Sequence, residues 1–405
     1  MKTIVLFTAS YPYSIAVENT FLEEELYYLN RYFKVIIIPQ TKKGERSEFV
    51  NNLNNVEVWE DLEEFKKQYV FKVFDLNLIK ELKNIKTISH LKNLLIHYAK
   101  TKWLQNYLEN KFNKNLLKSD FIYYTFWFDT STTALIYLKK KYNFKVFSRV
   151  HGGDLYFERN NGYIPFRKSN IEIIDKIVAV SKQAYNYLEN RYKLSKDKIE
   201  LFHLLSKDYK VINPLNKDKK FKVVSCALVS PLKRIDEIIR LLYKFTKQYN
   251  IKVEYTHIGN GIDFEKIKKL SKQYSNEQYK INLLGFKNID EIMKIYKNQS
   301  FDIFITLSKT EGGVPFALRE AASCEIPLIG TKVGGIPEII KDNYNGFLID
   351  KDYNDKDVID ILYKMYNLKF ANDYEKFRKR SRKIFLDKFE ANKNHKKFVE
   401  FLEGL

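Results

Sequence analysis

The amino-acid sequence predicts an α/β protein made of two doubly wound domains, and three observations support this fold class. Short apolar segments alternate with helical patterns along most of the chain, which is typical of βαβ units in parallel sheets. The alternation stops once, at the polar stretch Ser206–Lys220, and then restarts more regularly. The length of 405 residues corresponds to two or three domains.

Within the first domain, residues 1–205, the pattern opens with a strand, a helix and a second strand. The helix is predicted at Phe21–Phe33, with acidic residues at its start (Glu23, Glu24 and Glu25) that suit a helix N-terminus. The predicted strands are Thr3–Thr8, Val35–Pro39, Phe121–Phe126, Lys145–Val150 and Lys176–Val180.

The segment Leu76–Lys118 has a helical pattern in which Leu and Ile alternate with lysines, among them Lys80, Lys92, Lys114 and Lys118. Two interpretations remain open. The lysines could form an ordinary solvated helix face, or the segment could be an interfacial amphipathic helix that docks on anionic lipid.

After Ser206–Lys220, which we interpret as an interdomain linker, the second domain covers residues 206–385. A helix at 386–405 follows, as a candidate to pack back on the first domain. The predicted strands are Lys222–Leu228, Lys252–Ile258, Ile281–Leu284, Phe301–Leu307 and Ile326–Gly330. We expect the two domains to face each other across a cleft, with ligands at the carboxyl ends of the strands.

The composition and net charge of the chain limit the classes of protein to which it can belong. Apolar residues make up 45% and charged residues 30% of the chain, which indicates a globular protein. Two distant cysteines, Cys226 and Cys324, do not indicate a disulfide framework and fit a cytoplasmic location. No stretch approaches the roughly 20 apolar residues that span a bilayer, and no metal-binding motif is present. A net charge of +20 predicts anionic partners: nucleic acid, anionic lipid or phosphorylated substrates.

The turn Ser308–Glu320 is the strongest site candidate because it follows a predicted buried strand. Gly312 and Gly313 permit close backbone approach, and Pro315 suits the first position of a helix whose N-terminus can hold a phosphate. Two carboxylates, Glu311 and Glu320, bracket the turn.

A second glycine turn, 331–338, follows the next strand and has the same order of glycines, proline and glutamate. Either turn alone is more simply an ordinary βα connection. Two of them on neighbouring strands, each with a nearby carboxylate, favour a site for phosphate and hydroxyl groups.

These motifs resemble those of the retaining GT-B glycosyltransferases of glycosyltransferase family 4. Glu311 and Glu320 match the two glutamates of that family. Residues 326–329 match the strand that follows in the family, and residues 334–338 match its later Gly-Gly turn. The two glutamates are nine positions apart instead of eight, so the extra residue must be absorbed in the Gly312-Gly313 turn.

The resemblance implies that the second domain binds a nucleotide-diphosphate sugar, which we expect to be a UDP-sugar, and that the first binds the acceptor. Glu311 would contact the donor sugar and Glu320 the ribose. The diphosphate would lie on the backbone of Gly312, Gly313 and Val314.

Three further positions have counterparts in the family. Lys233 matches the lysine of the family, and Ala227 stands where the family has an arginine. Arg234 stands where the family usually has glycine, and we expect it to supply the second cation for the diphosphate. Gly259 and Gly261 resemble a Gly-x-Gly turn near the nucleotide base.

His151 ends a strand beside two glycines and resembles the histidine of the family's Arg-x-His-Gly-x-Asp turn. A lone histidine is usually structural, but the resemblance implies that His151 contacts the sugar and stabilises charge during transfer. The stretch Tyr156–Arg167 is a candidate acceptor pocket.

The predicted function is a retaining, metal-independent hexosyltransferase without a cofactor. Lys233, Arg234 and the helix N-terminus would neutralise the leaving diphosphate. The family implies a cell-surface glycan or lipid-linked acceptor at the inner membrane face, and the residue usage resembles that of AT-rich bacteria.

Two alternatives are a sugar-nucleotide isomerase on the same fold and a basic nucleic-acid-binding protein. The paired glutamates beside a phosphate turn argue against nucleic acid as a partner.

Overall fold

A computed structural model of the protein describes residues 1–14, 18–62, 76–111 and 121–405. The chain divides into two compact units. Met1–Leu205 together with His395–Leu405 form the first unit, and Ser206–Asn394 form the second.

In the described part of the first unit, seven parallel strands have the order β3-β2-β1-β4-β5-β6-β7. The strands are β1 Thr3–Thr8, β2 Lys34–Pro39, β3 Val56–Val58, β4 Phe121–Thr125, β5 Lys145–Val150, β6 Lys176–Ala179 and β7 Ile199–Leu201. The helices are α1 Asn19–Tyr32, α2 Leu76–Leu82, α3 Ile88–Lys111, α4 Thr130–Lys139, α5 Gly152–Leu155, α6 Arg167–Ile173 and α7 Lys182–Tyr192.

The second unit contains a six-stranded parallel sheet with the order β10-β9-β8-β11-β12-β13. Its strands are β8 Phe221–Cys226, β9 Val253–Ile258, β10 Tyr279–Leu283, β11 Ile303–Thr306, β12 Leu328–Thr331 and β13 Gly346–Ile349. The helices are α8 Ile235–Tyr249, α9 Phe264–Tyr274, α10 Ile289–Asn298, α11 Phe316–Ser323, α12 Ile336–Ile339, α13 Asp355–Leu368 and α14 Tyr374–Lys388. The last helix, α15, is Ala391–Glu403.

The central strands are mostly apolar because both faces of each sheet are covered there. In β1, Ile4 belongs to one hydrophobic cluster and Val5 to the cluster on the opposite face. Val223 and Val224 of β8 are divided in the same way in the second unit. The two-residue period thus alternates side chains between the faces, and the parallel pairing places the carboxyl ends of the strands on one edge of each sheet.

The predicted fold class and all ten predicted strands are confirmed, with ends that differ by a few residues at most. The short strands β3, β7 and β13 were not predicted. The polar stretch Ser206–Lys220 is not a loose linker. Buried Asn213 donates hydrogen bonds of 2.7 Å to the carbonyls of Tyr296 and Gln299, so this stretch packs on the second unit.

Two helix boundaries also differ from the prediction. Helix α1 begins at Asn19, so Glu23–Glu25 lie beyond its first turn. Glu25 instead pairs with the buried Arg149 at 2.7 Å. The C-terminal helix was predicted to start at position 386, but this position lies inside α14, and the last helix begins at Ala391. Of the Lys-rich segment, residues 112–118, with Lys114 and Lys118, lie outside the described residues.

Candidate functional site

The predicted donor site is built from the turns that follow β8, β11 and β12. The Lys309 backbone N–H donates to the Leu232 carbonyl at 2.8 Å, which ties the turn after β11 to the turn after β8. Lys233 lies in the same turn and donates to Glu311 Oε1. The structure therefore brings together a cation and a carboxylate that are 78 positions apart in the sequence.

The two glycine turns pack directly against each other. The Gly335 N–H donates to the Gly313 carbonyl at 3.1 Å. A Cβ atom on Gly335 would lie 2.5 Å from the Val314 nitrogen, and one on Gly334 would lie 2.5 Å from Glu311 Cβ. The turn at Gly334-Gly335 thus needs its glycines to approach the turn at Gly312-Gly313. This contact fixes the backbone from Glu311 to Val314.

Helix α11 starts immediately after this turn, at Phe316, with Pro315 at the capping position instead of the predicted first helical position. The side chain of Val314 is buried in the core, which anchors the helix start. The partial positive charge of the N-terminus is therefore directed at the turn, as an anion site requires.

Glu320 lies on α11 and is partly withdrawn from solvent. Burial raises the pKa of its carboxyl to about 7, against the opposing effect of the neighbouring Arg319 guanidinium. The carboxylate makes no hydrogen bond or ion pair with any residue that the structure describes. A carboxylate held in this way is available to accept hydrogen bonds from the hydroxyl groups of a ligand.

Arg234 belongs to a different cluster from Lys233. Its Nε lies 3.5 Å from Glu237, its Nη1 donates to the Lys351 carbonyl at 3.3 Å, and its guanidinium lies over the Tyr353 ring. The Arg234 φ of 51° is in the left-handed region, which explains why glycine is the usual residue at this position.

Gly259 and Gly261 pack the turn after β9 against the turn after β8. A Cβ atom at Gly259 would lie 2.0 Å from the Ala227 carbonyl oxygen, and one at Gly261 would lie 2.3 Å from the Val229 carbonyl oxygen. This backbone contact is sufficient to require both glycines. A contact with the nucleotide base stays a prediction.

His151 belongs to the first unit, at the carboxyl end of β5. Its backbone N–H donates to Asp154 Oδ1 at 2.6 Å, and its ring packs 4.3 Å from the Trp127 ring and 4.7 Å from that of Phe126. The residue is 7% exposed, and neither ring nitrogen has a hydrogen-bond partner among the described residues. Buried polar atoms of this kind usually bind a ligand or water.

Sequence reasoning missed Trp127 and the role of Glu18. The fully buried Glu18 carboxylate accepts hydrogen bonds from the backbone N–H groups of Ala9, Ser10 and Tyr11 at 2.7–2.8 Å. It also accepts from Trp127 Nε1 at 2.6 Å, so it fixes the indole that covers His151. Trp127 could have been found, because it follows the end of β4.

Comparison with known proteins gives three findings. Residues 207–384 match the family described as Glycosyl transferases group 1. An uncharacterized glycosyltransferase of Methanocaldococcus jannaschii, MJ1178, is 29% identical over 317 residues, which cover 72% of this chain and 83% of that protein. Among solved structures, the lipopolysaccharide outer core galactosyltransferase WaaB aligns with a TM-score of 0.70 at 17% identity over 100% of both chains.

A second solved structure, HepE of Anabaena in complex with UDP, aligns with a TM-score of 0.68 at 14% identity, also over 100% of both chains. At these identities the structural likeness establishes the fold, which is a GT-B fold with two parallel-sheet α/β domains. Together with the family match, it supports a glycosyltransferase. Neither the isomerase nor the nucleic-acid-binding alternative finds support in these comparisons.

Proposed function

We propose that this GT-B glycosyltransferase transfers a hexose from a UDP-sugar to a cell-surface glycan or lipid-linked acceptor, with retention of the anomeric configuration and without a metal ion. The observation that carries the proposal is the Glu320 carboxylate, which has no hydrogen-bond or ion-pair partner among the described residues. It lies one turn inside a helix whose N-terminus follows the Glu311–Val314 turn. A nucleoside diphosphate presents hydroxyl groups and an anion, and these are what such a pair of features binds.

The donor chemistry follows from the charges at the turn. As the glycosidic bond breaks, negative charge accumulates on the leaving diphosphate and positive charge on the sugar. Lys233 and the α11 N-terminus stabilise the diphosphate, and Glu311 accepts hydrogen bonds from the sugar hydroxyls. Arg234 contributes less than Lys233 because it joins Glu237 and the Lys351 carbonyl, whereas Lys233 joins Glu311 in the proposed donor turn.

In this proposal His151 contacts the transferred sugar. Its ring is held between aromatic side chains, neither ring nitrogen is hydrogen-bonded among the described residues, and Nδ1 lies 3.9 Å from Asp154 Oδ2. Gly259 and Gly261 hold the turn that lies near the base. The UDP-bound HepE and the lipopolysaccharide-directed WaaB support a uridine nucleotide and a glycan acceptor, respectively.

A thermal-shift screen with UDP, GDP and ADP tests the donor assignment. We expect UDP to stabilise the wild type most, and Glu320→Gln to reduce the shift by at least half. Glu375→Gln, an exposed glutamate on α14, should leave it unchanged. Stabilisation by none of the three nucleotides would contradict the proposal.

Retention and metal independence are tested separately. Proton NMR of the early product should show the anomeric configuration of the donor, and activity should persist in excess chelator. An inverted product would refute the retaining mechanism. Loss of activity that a divalent ion restores would refute metal independence.

A further inference from the structure

Helices α2 and α3 of the first unit expose seven aliphatic side chains to solvent, and we call this set the aliphatic face. Exposed fractions range from 37% at Leu91 to 88% at Ile88. The face consists of Leu76, Ile79, Leu82, Ile88, Leu91, Leu95 and Ile96. Single exposed apolar residues are common, but a group of seven on two successive helices indicates an interaction site.

The helical period shows that α3 is apolar on two sides. His90, Leu94 and Tyr98 recur every four residues and are buried against the first unit. The exposed residues Ile88 and Leu95 are seven positions apart, so they share one side of the helix. This side differs from the side that carries the buried residues. A soluble helix needs only one apolar side, so the core does not explain the second.

The charge around the aliphatic face is almost entirely positive. Between residues 76 and 102 the chain has six lysines and a single acidic residue, Glu81. The lysines Lys80, Lys83, Lys86, Lys92 and Lys100 are exposed. Glu81 accepts a hydrogen bond from the Tyr163 hydroxyl at 3.0 Å.

This composition distinguishes between partners. Protein interfaces are enriched in aromatic residues and Arg and are depleted in Lys, whereas the aliphatic face has only Leu and Ile among lysines. A second copy of the chain would bring two sets of five exposed lysines together, which repel each other. Aliphatic residues flanked by lysines are the pattern of helices that lie in the headgroup region of anionic bilayers.

We infer that the aliphatic face docks on an anionic lipid bilayer. Its helices share a small buried cluster with the predicted acceptor segment: Leu78 and Leu94 pack together with Tyr163 and Phe166. His90 Nε2 lies 3.0 Å from the Asn161 carbonyl oxygen. Docking therefore holds the acceptor segment at the membrane surface, where lipid-linked acceptors reside. Only this last step rests on the proposed function.

Vesicle flotation tests the docking without any sugar nucleotide. The full chain should float with vesicles of phosphatidylcholine mixed with phosphatidylglycerol and remain at the bottom with phosphatidylcholine alone. The double variant Leu95→Gln/Ile96→Gln should bind at least about tenfold more weakly, because two aliphatic side chains leave the bilayer. The double variant Lys86→Glu/Lys92→Glu should lose as much vesicle binding or more, because two positive charges near the anionic lipid become negative.

The matched control is Ile212→Gln/Leu215→Gln in the second unit, because these side chains are 45% and 41% exposed, against 46% and 42% for Ile96 and Leu95. The control should float like the wild type, and all variants should keep the wild-type melting temperature. The inference is overturned by no flotation, by equal flotation of all variants, or by a concentration-dependent dimer that Leu95→Gln/Ile96→Gln dissociates. UDP stabilisation, measured on the same samples, separates a failure of docking from a failure of the donor assignment.

Discussion

The Lys233 ammonium binds the Glu311 carboxylate across two turns of the second unit, and both side chains are largely buried. Each group holds the other in the position from which it would meet the donor. The pair therefore couples the cation proposed for the diphosphate to the carboxylate proposed for the sugar, and neither can be changed independently.

A double-mutant cycle on this pair should show strong coupling. Lys233→Ala and Glu311→Gln should each lower kcat/KM by about 100-fold or more, because charge stabilisation at the leaving group is lost. The double variant should lose much less than the product of the two effects, since one partner is already displaced in each single variant. Additive losses in steady-state kinetics would show that the two residues act separately.

Donor binding should depend on the ionisation of Glu320. Its carboxyl pKa is about 7, so below pH 7 the donor must bind a site that is mostly protonated. We expect UDP affinity to fall by up to about tenfold for each pH unit below 7. Isothermal titration calorimetry on the wild type and Glu320→Gln would check this: the variant should lose the pH dependence, and an identical pH profile in both proteins would argue against Glu320.

The same carboxyl should make the ligand-free protein less stable as the pH rises. Its folded pKa is above the ordinary value of 4.5, so the folded state binds the proton more tightly than the unfolded state. The stability lost between pH 4.5 and 7 should amount to roughly 3 kcal/mol at most. Urea unfolding should show this loss in the wild type but not in Glu320→Gln.

Replacing Arg234 by glycine should have only a small effect on UDP binding at the proposed donor site. The left-handed backbone of Arg234 favours glycine by about 1 kcal/mol, which offsets part of the stabilisation that the arginine side chain gains from Glu237 and Tyr353. We expect UDP affinity to fall less than tenfold, well short of the loss in Lys233→Ala. A larger loss, measured by the same calorimetric titration, would assign the second diphosphate cation to Arg234.

Gly335→Ala should damage the donor site from the neighbouring strand. The added Cβ would lie 2.5 Å from the Val314 nitrogen, so the turn from Glu311 to Val314 must move. We expect a stability loss of about 1–3 kcal/mol, as for overpacking elsewhere, together with weaker UDP binding. Gly404→Ala is the control for unfolding measurements, because its new Cβ would have only ordinary contacts at 3.5 Å. Wild-type stability and UDP binding in Gly335→Ala would contradict a role for the second glycine turn in shaping the first.

The sequence by itself determined the two parallel sheets and the turns that we propose as the donor site. Short apolar segments such as Ile4–Phe7, separated by helical patterns, indicate strands buried on both faces. Glycine, proline and glutamate placed after such a strand indicate a turn at the ligand-binding edge. Local patterns of this kind depend on residues close together in the chain, so they can be recognised without coordinates.

Only the tertiary structure decided which side chains meet. Lys233 pairs with Glu311 while the adjacent Arg234 joins Glu237, and the Gly334-Gly335 turn packs against the first turn instead of forming a second separate cradle. The Glu18–Trp127 contact joins positions 109 residues apart. Such contacts depend on the order of strands in the sheet and on the side of a helix that remains uncovered, and neither is written in the local pattern of residues.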